Sequence, residues 1–186
     1  MNNSIRVWLI TGEPGVGKTT TLLKVVNMIK SQGFIVGGVV SRELRSGGAR
    51  VGFELIDINS GQRGVLASIS QDVGPRFGRY RINLKDLAEV GANALKWAIE
   101  NSDIIVCDEI GPMELFSPEF RRAVIEVLKC GKPVIGIIHK RMRDPLLNEL
   151  RSAPYCELIE VTYENRDKLP DIIADKVLAR LKSEVK

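Results

Sequence analysis

The stretch Gly12-Glu13-Pro14-Gly15-Val16-Gly17-Lys18-Thr19 decides the fold of this chain. It matches the phosphate-binding loop pattern G-x-x-x-x-G-K-[ST], and an apolar strand at 5–10 leads directly into it. Apolar residues at helical spacing follow from 22 to 29, and Gly33 marks the stop. The glycines let the backbone fold around a polyphosphate with its N–H groups pointing inward, and the helix start adds partial positive charge. The stretch therefore predicts that the chain binds a nucleoside triphosphate.

Each loop residue has an expected partner in such a complex. We expect Lys18 to reach the β- and γ-phosphates and the Thr19 hydroxyl to hold Mg²⁺. The predicted nucleotide-binding set from the loop is Gly12, Glu13, Pro14, Gly15, Val16, Gly17, Lys18, Thr19 and Thr20. The flanking strand and helix favour this interpretation over a glycine-rich turn without a ligand.

Composition narrows the class of protein and its compartment. The 186 residues are 44% apolar and 27% charged, which is typical of one globular α/β domain. The 5% aromatic content argues against a base-stacking platform for single-stranded nucleic acid, and a net charge of +4 permits a nucleic-acid partner without requiring one. No run reaches the roughly 18 apolar residues that span a membrane. Three unpaired cysteines and a start without a signal-peptide pattern predict a cytoplasmic protein, and we expect a monomer.

Alternating apolar runs and helical patterns predict the fold. Five runs rich in Val and Ile are typical of strands buried on both faces of a parallel sheet. They lie at 5–10, 34–40, 103–107, 133–138 and 157–161. Helical patterns separate them at 84–99, from Ser117-Pro118-Glu119 onward, and at 169–181. This order predicts an α/β, doubly wound fold with a mostly parallel central sheet flanked by helices.

Residues 37–82 interrupt this alternation. Glycine pairs and an Asn-Ser-Gly sequence separate runs of β character, so we predict antiparallel hairpins that are built on the second strand or extend the sheet edge. No linker is visible, which predicts a single phosphate-loop domain over 1–186 with a β-hairpin insertion at about 37–82.

The stretch Asp103-Ile104-Ile105-Val106-Cys107-Asp108-Glu109 is the second decisive signal. An apolar strand that ends in a carboxylate, downstream of a phosphate loop, is the Walker B pattern, in which Asp108 shares Mg²⁺ with Thr19. Glu109 adds a second carboxylate where the γ-phosphate is expected, and such a group orients a water for in-line attack. A plain acidic loop start is the alternative, but the phosphate loop favours Mg²⁺-assisted hydrolysis.

An adjacent Asp-Glu pair also predicts a further strand, 133–138, between the loop strand and the Walker B strand. The tip of that strand carries His139, which either senses the γ-phosphate and positions water or is an ordinary hydrogen-bonded loop residue. Lys140, Arg141 and Arg143 follow, and are candidates for the cation that neutralises transition-state charge. We assign Arg141 that role, with solvated surface as the alternative. The predicted catalytic residues are thus Glu109, Lys18, His139 and Arg141.

The phosphate loop together with Asp108-Glu109-Ile110-Gly111-Pro112-Met113-Glu114 resembles the thermophilic nucleoside-triphosphatase family, which has a human cancer-related relative. Arg45–Phe53 is similar to the family's basic Gly-rich hairpin, and Thr162–Asp167 to the segment after its last strand. The resemblance implies a compact RecA-like domain that hydrolyses ATP, GTP, CTP and UTP to the diphosphate and phosphate with little base preference. Glu13 places an acid in the loop at a position that tolerates it.

Base contact is expected just beyond the last strand. The chain has no Asn-Lys-x-Asp run of the kind that guanine-specific switches carry, and Asn165 and Arg166 lie where many phosphate-loop folds contact the base. Arg166 is suited to lie against a purine face, whereas Asn165 is equally suited to cap the terminal helix.

The insertion contains several arginines, for which the sequence leaves two interpretations. They are either solvated charges that protect a sheet edge or a surface that faces phosphate or nucleic acid. These arginines are Arg42, Arg45, Arg50, Arg76, Arg79 and Arg81.

Three functions use this loop. The first is a Mg²⁺-dependent nucleoside triphosphatase with low base specificity, which Glu109 favours. The second is a nucleoside or nucleotide kinase, which needs an acceptor pocket and a lid that excludes water. The third is a nucleotide-dependent switch that acts on nucleic acid or protein, with slow turnover that a partner stimulates.

Overall fold

A computed structural model describes residues 5–184 and contains nine strands and several helices in that range. The strands are β1 (Val7–Thr11), β2 (Val36–Ser46), β3 (Ala49–Asp57), β4 (Arg63–Ser68), β5 (Arg76–Phe77), β6 (Tyr80–Ile82), β7 (Ile104–Ile110), β8 (Val134–Ile138) and β9 (Cys156–Glu160). The helices are α1 (Lys18–Ser31), α2 (Leu84–Asp86), α3 (Asn93–Asn101), α4 (Pro118–Lys129), α5 (Pro145–Ser152) and α6 (Leu169–Glu184). A π-helical turn at Leu87–Ala92 joins α2 to α3, and a 3₁₀ turn at Glu114–Phe116 precedes α4.

All nine strands form one sheet in the order β5-β6-β4-β3-β2-β7-β8-β1-β9. The five strands from β2 to β9 in this order are parallel, which confirms the predicted α/β class with a parallel central sheet. The predicted strand 133–138 corresponds to β8, and it pairs with β1 on one side and β7 on the other. The phosphate loop and the acidic strand tip are therefore separated by one strand, as the adjacent Asp-Glu pair predicts.

Residues beyond β2 build an antiparallel extension of the sheet, as expected for the segment 37–82. Strand β2 continues to Ser46, six residues past the predicted end at 40, because it turns directly into β3. Gly47 and Gly48 form the turn with positive φ values of 56° and 80°, a conformation that glycine adopts without the strain a Cβ would introduce. Strands β4, β6 and β5 then widen the edge.

Helices cover both faces of the sheet and create two apolar layers. One layer packs the π-helical turn, α3, α4 and α5 against the sheet and centres on residues such as Phe120 and Leu95. The other packs α1 and α6 around Leu22 and Ile173. Ser117 caps α4 by accepting a hydrogen bond from the N–H of Phe120, and Pro118 follows in the first turn, as predicted. Within residues 5–184, no helix is long and apolar enough to cross a membrane.

Candidate active site

The phosphate loop connects the end of β1 to the start of α1. Gly12 has a φ of 148°, and a Cβ there would lie 2.6 Å from the carbonyl oxygen of Val161, so only glycine fits. Gly17 has a φ of 111° and immediately precedes the first helical residue, Lys18. Val16 is buried and anchors the loop in the core. The loop therefore presents its backbone at the N-terminus of a fourteen-residue helix, the geometry expected for binding phosphate.

The ammonium of Lys18 lies across the loop. Its Nζ donates hydrogen bonds to the carbonyl oxygens of Gly12 at 3.1 Å and Glu13 at 3.0 Å. These contacts hold the cation over the concave side of the loop, where the sequence predicts that it meets the β- and γ-phosphates.

Asp108 lies at the inner edge of the same region and is 2% exposed. The backbone N–H of Ser41 and the hydroxyl of Thr19 lower the pKa of its carboxyl group, yet Oδ2 has no hydrogen-bond partner among the described residues. Burial, followed by repulsion from Glu109, raises the pKa of Asp108 to about 7. A buried carboxylate oxygen without a partner, beside a hydroxyl, is a suitable pair of ligands for a hard divalent cation. The residues present thus fit the predicted metal site.

No group of three His, Cys, Asp or Glu side chains in the described part of the chain has metal-binding geometry.

Glu109 follows Asp108 through a cis peptide bond, and both lie where the pairing of β7 with β8 is interrupted between Cys107 and Ile110. The sequence places the strand end at 107, whereas β7 continues to Ile110 around this irregularity. Burial raises the pKa of Glu109, while Lys18 and His139 counteract that effect. A carboxylate with a raised pKa at the edge of a cleft is suited to accept a hydrogen bond from an attacking water.

Glu114 is a third carboxyl group at this end of β7, and it is 3% exposed. A Cβ built on Gly111 would lie 3.0 Å from Oε1 of Glu109 and 3.1 Å from Oε2 of Glu114, so glycine provides the space between the two groups. Burial and repulsion from Glu109 raise the pKa of Glu114 well above its ordinary value. The sequence comparison places Glu114 in a family motif, but only the fold shows that it packs beside Glu109.

His139 follows β8 and lines the same cleft. Its Nδ1 accepts hydrogen bonds from the backbone N–H groups of Met142 at 3.0 Å and Arg141 at 3.3 Å, so the remaining ring nitrogen, Nε2, carries the proton in the neutral form. Nδ1 is thus used within the loop, and Nε2 is left as a donor.

The cations after His139 pair with acids around the phosphate loop. Lys140 bridges Glu13 at 3.0 Å and Glu160 at 2.7 Å, and Arg141 contacts Glu13 at 2.8 Å. The Arg141 side chain is 76% exposed and lines the cleft. Glu13 thus holds two cations next to the loop, a role that the loop pattern alone does not predict.

Asn165 and Arg166 lie outside this cleft. The Asn165 side chain accepts a hydrogen bond from the backbone N–H of Thr162 and donates one to the carbonyl of Glu160. It therefore stabilises the loop after β9 and does not cap α6, which begins at Leu169. The guanidinium of Arg166 lies 5.1 Å from the ring centre of Tyr163. Its Cδ is 3.9 Å from the Cβ position of Gly17, so this pair borders the outer side of the phosphate loop.

A single cleft of about 930 Å³ brings most of the predicted residues together. The phosphate loop, Asp108, Glu109, His139 and Arg141 line one part of it. The opposite wall comes from α1 and the β2–β3 hairpin and includes residues to which the sequence assigns no definite role: Leu23, Ser41, Arg42, Glu43, Arg50, Phe53 and Ile56. These residues lie near the phosphate loop because of the course that β2 takes through the sheet, and no local sequence motif predicts that course.

Comparisons with known proteins agree with this geometry. A family model described as NTPase matches residues 7–174. Nucleoside-triphosphatase THEP1 of Thermofilum pendens is 41% identical over 171 residues, covering 91% of this chain and 94% of the relative. The corresponding protein of Thermococcus kodakarensis is 42% identical over 176 residues, covering 93% and 94%.

Two solved structures have the same fold. The crystal structure of THEP1 from the hyperthermophile Aquifex aeolicus superposes with a TM-score of 0.78 at 34% identity, covering 90% of this chain and 96% of that one. The solution structure of a human cancer-related nucleoside triphosphatase gives a TM-score of 0.75 at 35% identity, covering 92% and 97%. With a phosphate loop, a buried Asp-Glu pair and this extent of similarity, the chain belongs to the NTPase family of nucleoside-triphosphatases.

Proposed function

We propose that this nucleoside triphosphatase is Mg²⁺-dependent and converts ATP, GTP and other nucleoside triphosphates to the diphosphate and phosphate with low base specificity. The observation that carries the proposal is the buried Asp108 carboxyl, whose Oδ2 lacks a partner among the described residues while Thr19 and Glu109 adjoin it. Thr19 and Asp108 would hold Mg²⁺, which neutralises charge on the β- and γ-phosphate oxygens when bound.

The remaining roles follow from what each side chain can donate or accept. The loop backbone and Lys18 would bind the phosphates and fix the γ-phosphate in line with a water. Glu109 would accept a hydrogen bond from that water and hold it for attack, since its pKa is raised by burial. His139 would donate from Nε2, and Arg141 would move from Glu13 toward the developing charge.

Low base specificity is supported by the residues that border the loop. Both polar atoms of the Asn165 amide form hydrogen bonds to the backbone, which leaves its carbonyl oxygen committed to the loop after β9. The stacked Arg166 and Tyr163 offer flat surfaces instead, and every base has a π-face that such surfaces accept. A base held in this way is recognised by its shape and not by its hydrogen-bonding edge.

Phosphate release from ATP, GTP, CTP and UTP with Mg²⁺ tests the proposal, with Glu109→Gln compared to the parent. We expect kcat to fall by about 10²–10⁴-fold while nucleotide binding persists, because the amide is a poor acceptor for the water proton. Glu126→Gln is the matched control, since Glu126 is exposed on α4 and should change nothing. Equal rates for Glu109→Gln and the parent would exclude this role for Glu109.

A further inference from the structure

The candidate cleft continues beyond the position of the γ-phosphate to a wall built by the β2–β3 hairpin. Strand β2 pairs in parallel with β7 up to Val39 and Cys107, and Ser41, two residues further along β2, lines the cleft together with Asp108. Arg42 is the next residue along β2, and it lines the same cleft. The wall therefore begins beside the acidic end of β7.

Two guanidiniums on this wall are held in place and still have free donors. Arg42 binds Glu54 through Nε at 2.7 Å and Nη2 at 2.5 Å, and Glu54 is itself buried. Arg50 donates from Nε to the hydroxyl of Tyr80 at 3.1 Å and from Nη1 to Glu43 at 2.9 Å. Within residues 5–184, Nη1 of Arg42 and Nη2 of Arg50 have no hydrogen-bond acceptor.

The antiparallel extension of the sheet carries more arginines than acids, with seven arginines against four acidic residues in 36–82. Glu54 is shared by Arg42 and Arg63, and Glu43 is shared by Arg45 and Arg50. Four guanidiniums thus share two carboxylates, and the free donors of Arg42 and Arg50 are the ones that face the cleft. Arginine binds phosphate through paired N–H groups, so these donors are suited to a phosphate group.

Apolar and aromatic side chains lie next to these cations. Leu23 on α1 is 40% exposed, and it faces the same cleft as the half-buried Phe53 and Ile56 of β3. The guanidinium of Arg50 lies 5.2 Å from the centre of the Phe53 ring, so a flat cation and a flat ring adjoin. A ligand that carries an aromatic ring and a phosphate group would satisfy both halves of this wall.

We propose that the hairpin wall is a second ligand site, which binds a nucleoside monophosphate while a nucleoside triphosphate occupies the phosphate loop. The phosphate group contacts Arg42 and Arg50, and the base packs against Phe53, Ile56 and Leu23. This proposal rests on the proposed function in one respect, namely that the triphosphate binds at the phosphate loop. Its ligand lies in the same cleft as Asp108 and Glu109, whereas Arg166 and Tyr163 lie outside that cleft.

The experiment first measures binding of a non-hydrolysable ATP analogue with Mg²⁺ by calorimetry. AMP, GMP, CMP and UMP are then titrated into protein that is saturated with the analogue, with adenosine and inorganic phosphate as probes of the two halves of the ligand. We expect at least one monophosphate to bind, and to bind at least tenfold more tightly than adenosine or phosphate alone.

Arg50→Gln and Arg45→Gln form a matched pair for this test. Both remove an ion pair to Glu43 on the same hairpin, but Arg45 lies outside the cleft. We expect Arg50→Gln to weaken monophosphate binding at least tenfold with the analogue's affinity unchanged, and Arg45→Gln to behave as the parent. Phe53→Leu gives a second variant, which should weaken binding of the monophosphates but not of inorganic phosphate.

Two kinds of result overturn the site separately from the proposed function. If the analogue binds but no monophosphate does, or if a monophosphate binds only when the analogue is absent, the second site is wrong and the triphosphate site stands. Equal monophosphate affinity in Arg50→Gln and Arg45→Gln also excludes it. Failure of the analogue itself to bind overturns both proposals.

Discussion

Three carboxyl groups, those of Asp108, Glu109 and Glu114, crowd the end of β7. Each has a raised pKa, and burial is the largest cause for all three. Three ionised carboxylates so close together would repel one another, so a carboxyl group that stays protonated reduces the repulsion between the other two. Glu114 is suited to that position, since burial and repulsion from Glu109 and Asp108 raise its pKa well above the ordinary value, and these effects outweigh the N–H groups of Glu114 and Gly111, which lower it.

The first prediction at this scale concerns Glu114→Gln. In the unfolded chain Glu114 ionises above a pKa of about 4.3, whereas in the folded chain its pKa is raised and it stays protonated to higher pH. The free energy of unfolding of the parent therefore falls as the pH rises from about 4.3 toward the folded pKa. The loss is at most about 1.4 kcal/mol per pH unit. The glutamine variant avoids it and should become more stable than the parent by a margin that grows with pH. Urea unfolding between pH 5 and 9 measures the difference.

Glu126→Gln serves as the exposed control and should show no such trend. Parallel stability curves for the parent and Glu114→Gln would mean that Glu114 ionises as readily in the folded chain as in the unfolded one.

At the scale of elements, the start of α5 depends on one buried acid. Asp144 is 8% exposed, caps α5 by accepting from the N–H of Leu146 at 2.9 Å, and binds Arg121 of α4 through both oxygens at 3.1 and 2.5 Å. This contact joins the helix after β8 to the helix before it. It therefore supports the segment that carries His139 to Arg141.

We expect Asp144→Ala to lower the free energy of unfolding by about 1–3 kcal/mol, since it removes a helix cap and leaves a half-buried guanidinium without its partner. The exposed pair of Arg122 with Glu119 on the same helix gives the comparison, and Arg122→Ala should cost about 0.5 kcal/mol or less. Urea unfolding of both variants checks the ratio. Equal effects would show that burial of the Asp144 pair adds nothing.

The strands and helices differ in how well they could be predicted from the sequence. The inner parallel strands were predictable because both faces are buried, which leaves continuous apolar runs such as Ile104–Cys107. The prediction of burial on both faces is wrong for the run 157–161, because β9 is an edge strand and Leu158 is 46% exposed. The hairpin extension was predictable only in kind, since its half-exposed strands owe their register to the turn at Gly47 and Gly48. The π-helical turn was not predictable, because it depends on packing across the core, where a Cβ on Gly91 would lie 3.0 Å from the ring of Phe120.

The same distinction applies to the site. The phosphate loop and the pair Asp108-Glu109 are local patterns, and each needs only its own strand to be recognised. The contribution of Arg42 and Arg50 to the cleft depends on how far β2 extends beyond the parallel sheet. One neighbour that lowers the pKa of Asp108, the N–H of Ser41, is a backbone group, so side-chain identity does not reveal it.

At the scale of the whole molecule, ligand binding should be measurable as stability. A triphosphate analogue with Mg²⁺ at 100 times its Kd should add about 2.7 kcal/mol to the free energy of unfolding. For a chain of this size that corresponds to a rise in Tm of roughly 5–11 °C. Thermal unfolding with and without EDTA measures the part due to the metal, and Asp108→Asn should abolish that part. An identical shift in EDTA would contradict the assignment of Asp108.

Strand β2 runs from the interior of the sheet to the hairpin turn, with one shift of its register to β3 between Leu44 and Arg45. The segment from Ser41 to Ser46 spans about 16 Å at the rise of an extended chain. One end of this arm lines the cleft beside Asp108, and the other end is exposed to solvent. A contact made at the glycine turn would therefore reach the carboxyl group that we propose as a Mg²⁺ ligand along a single strand.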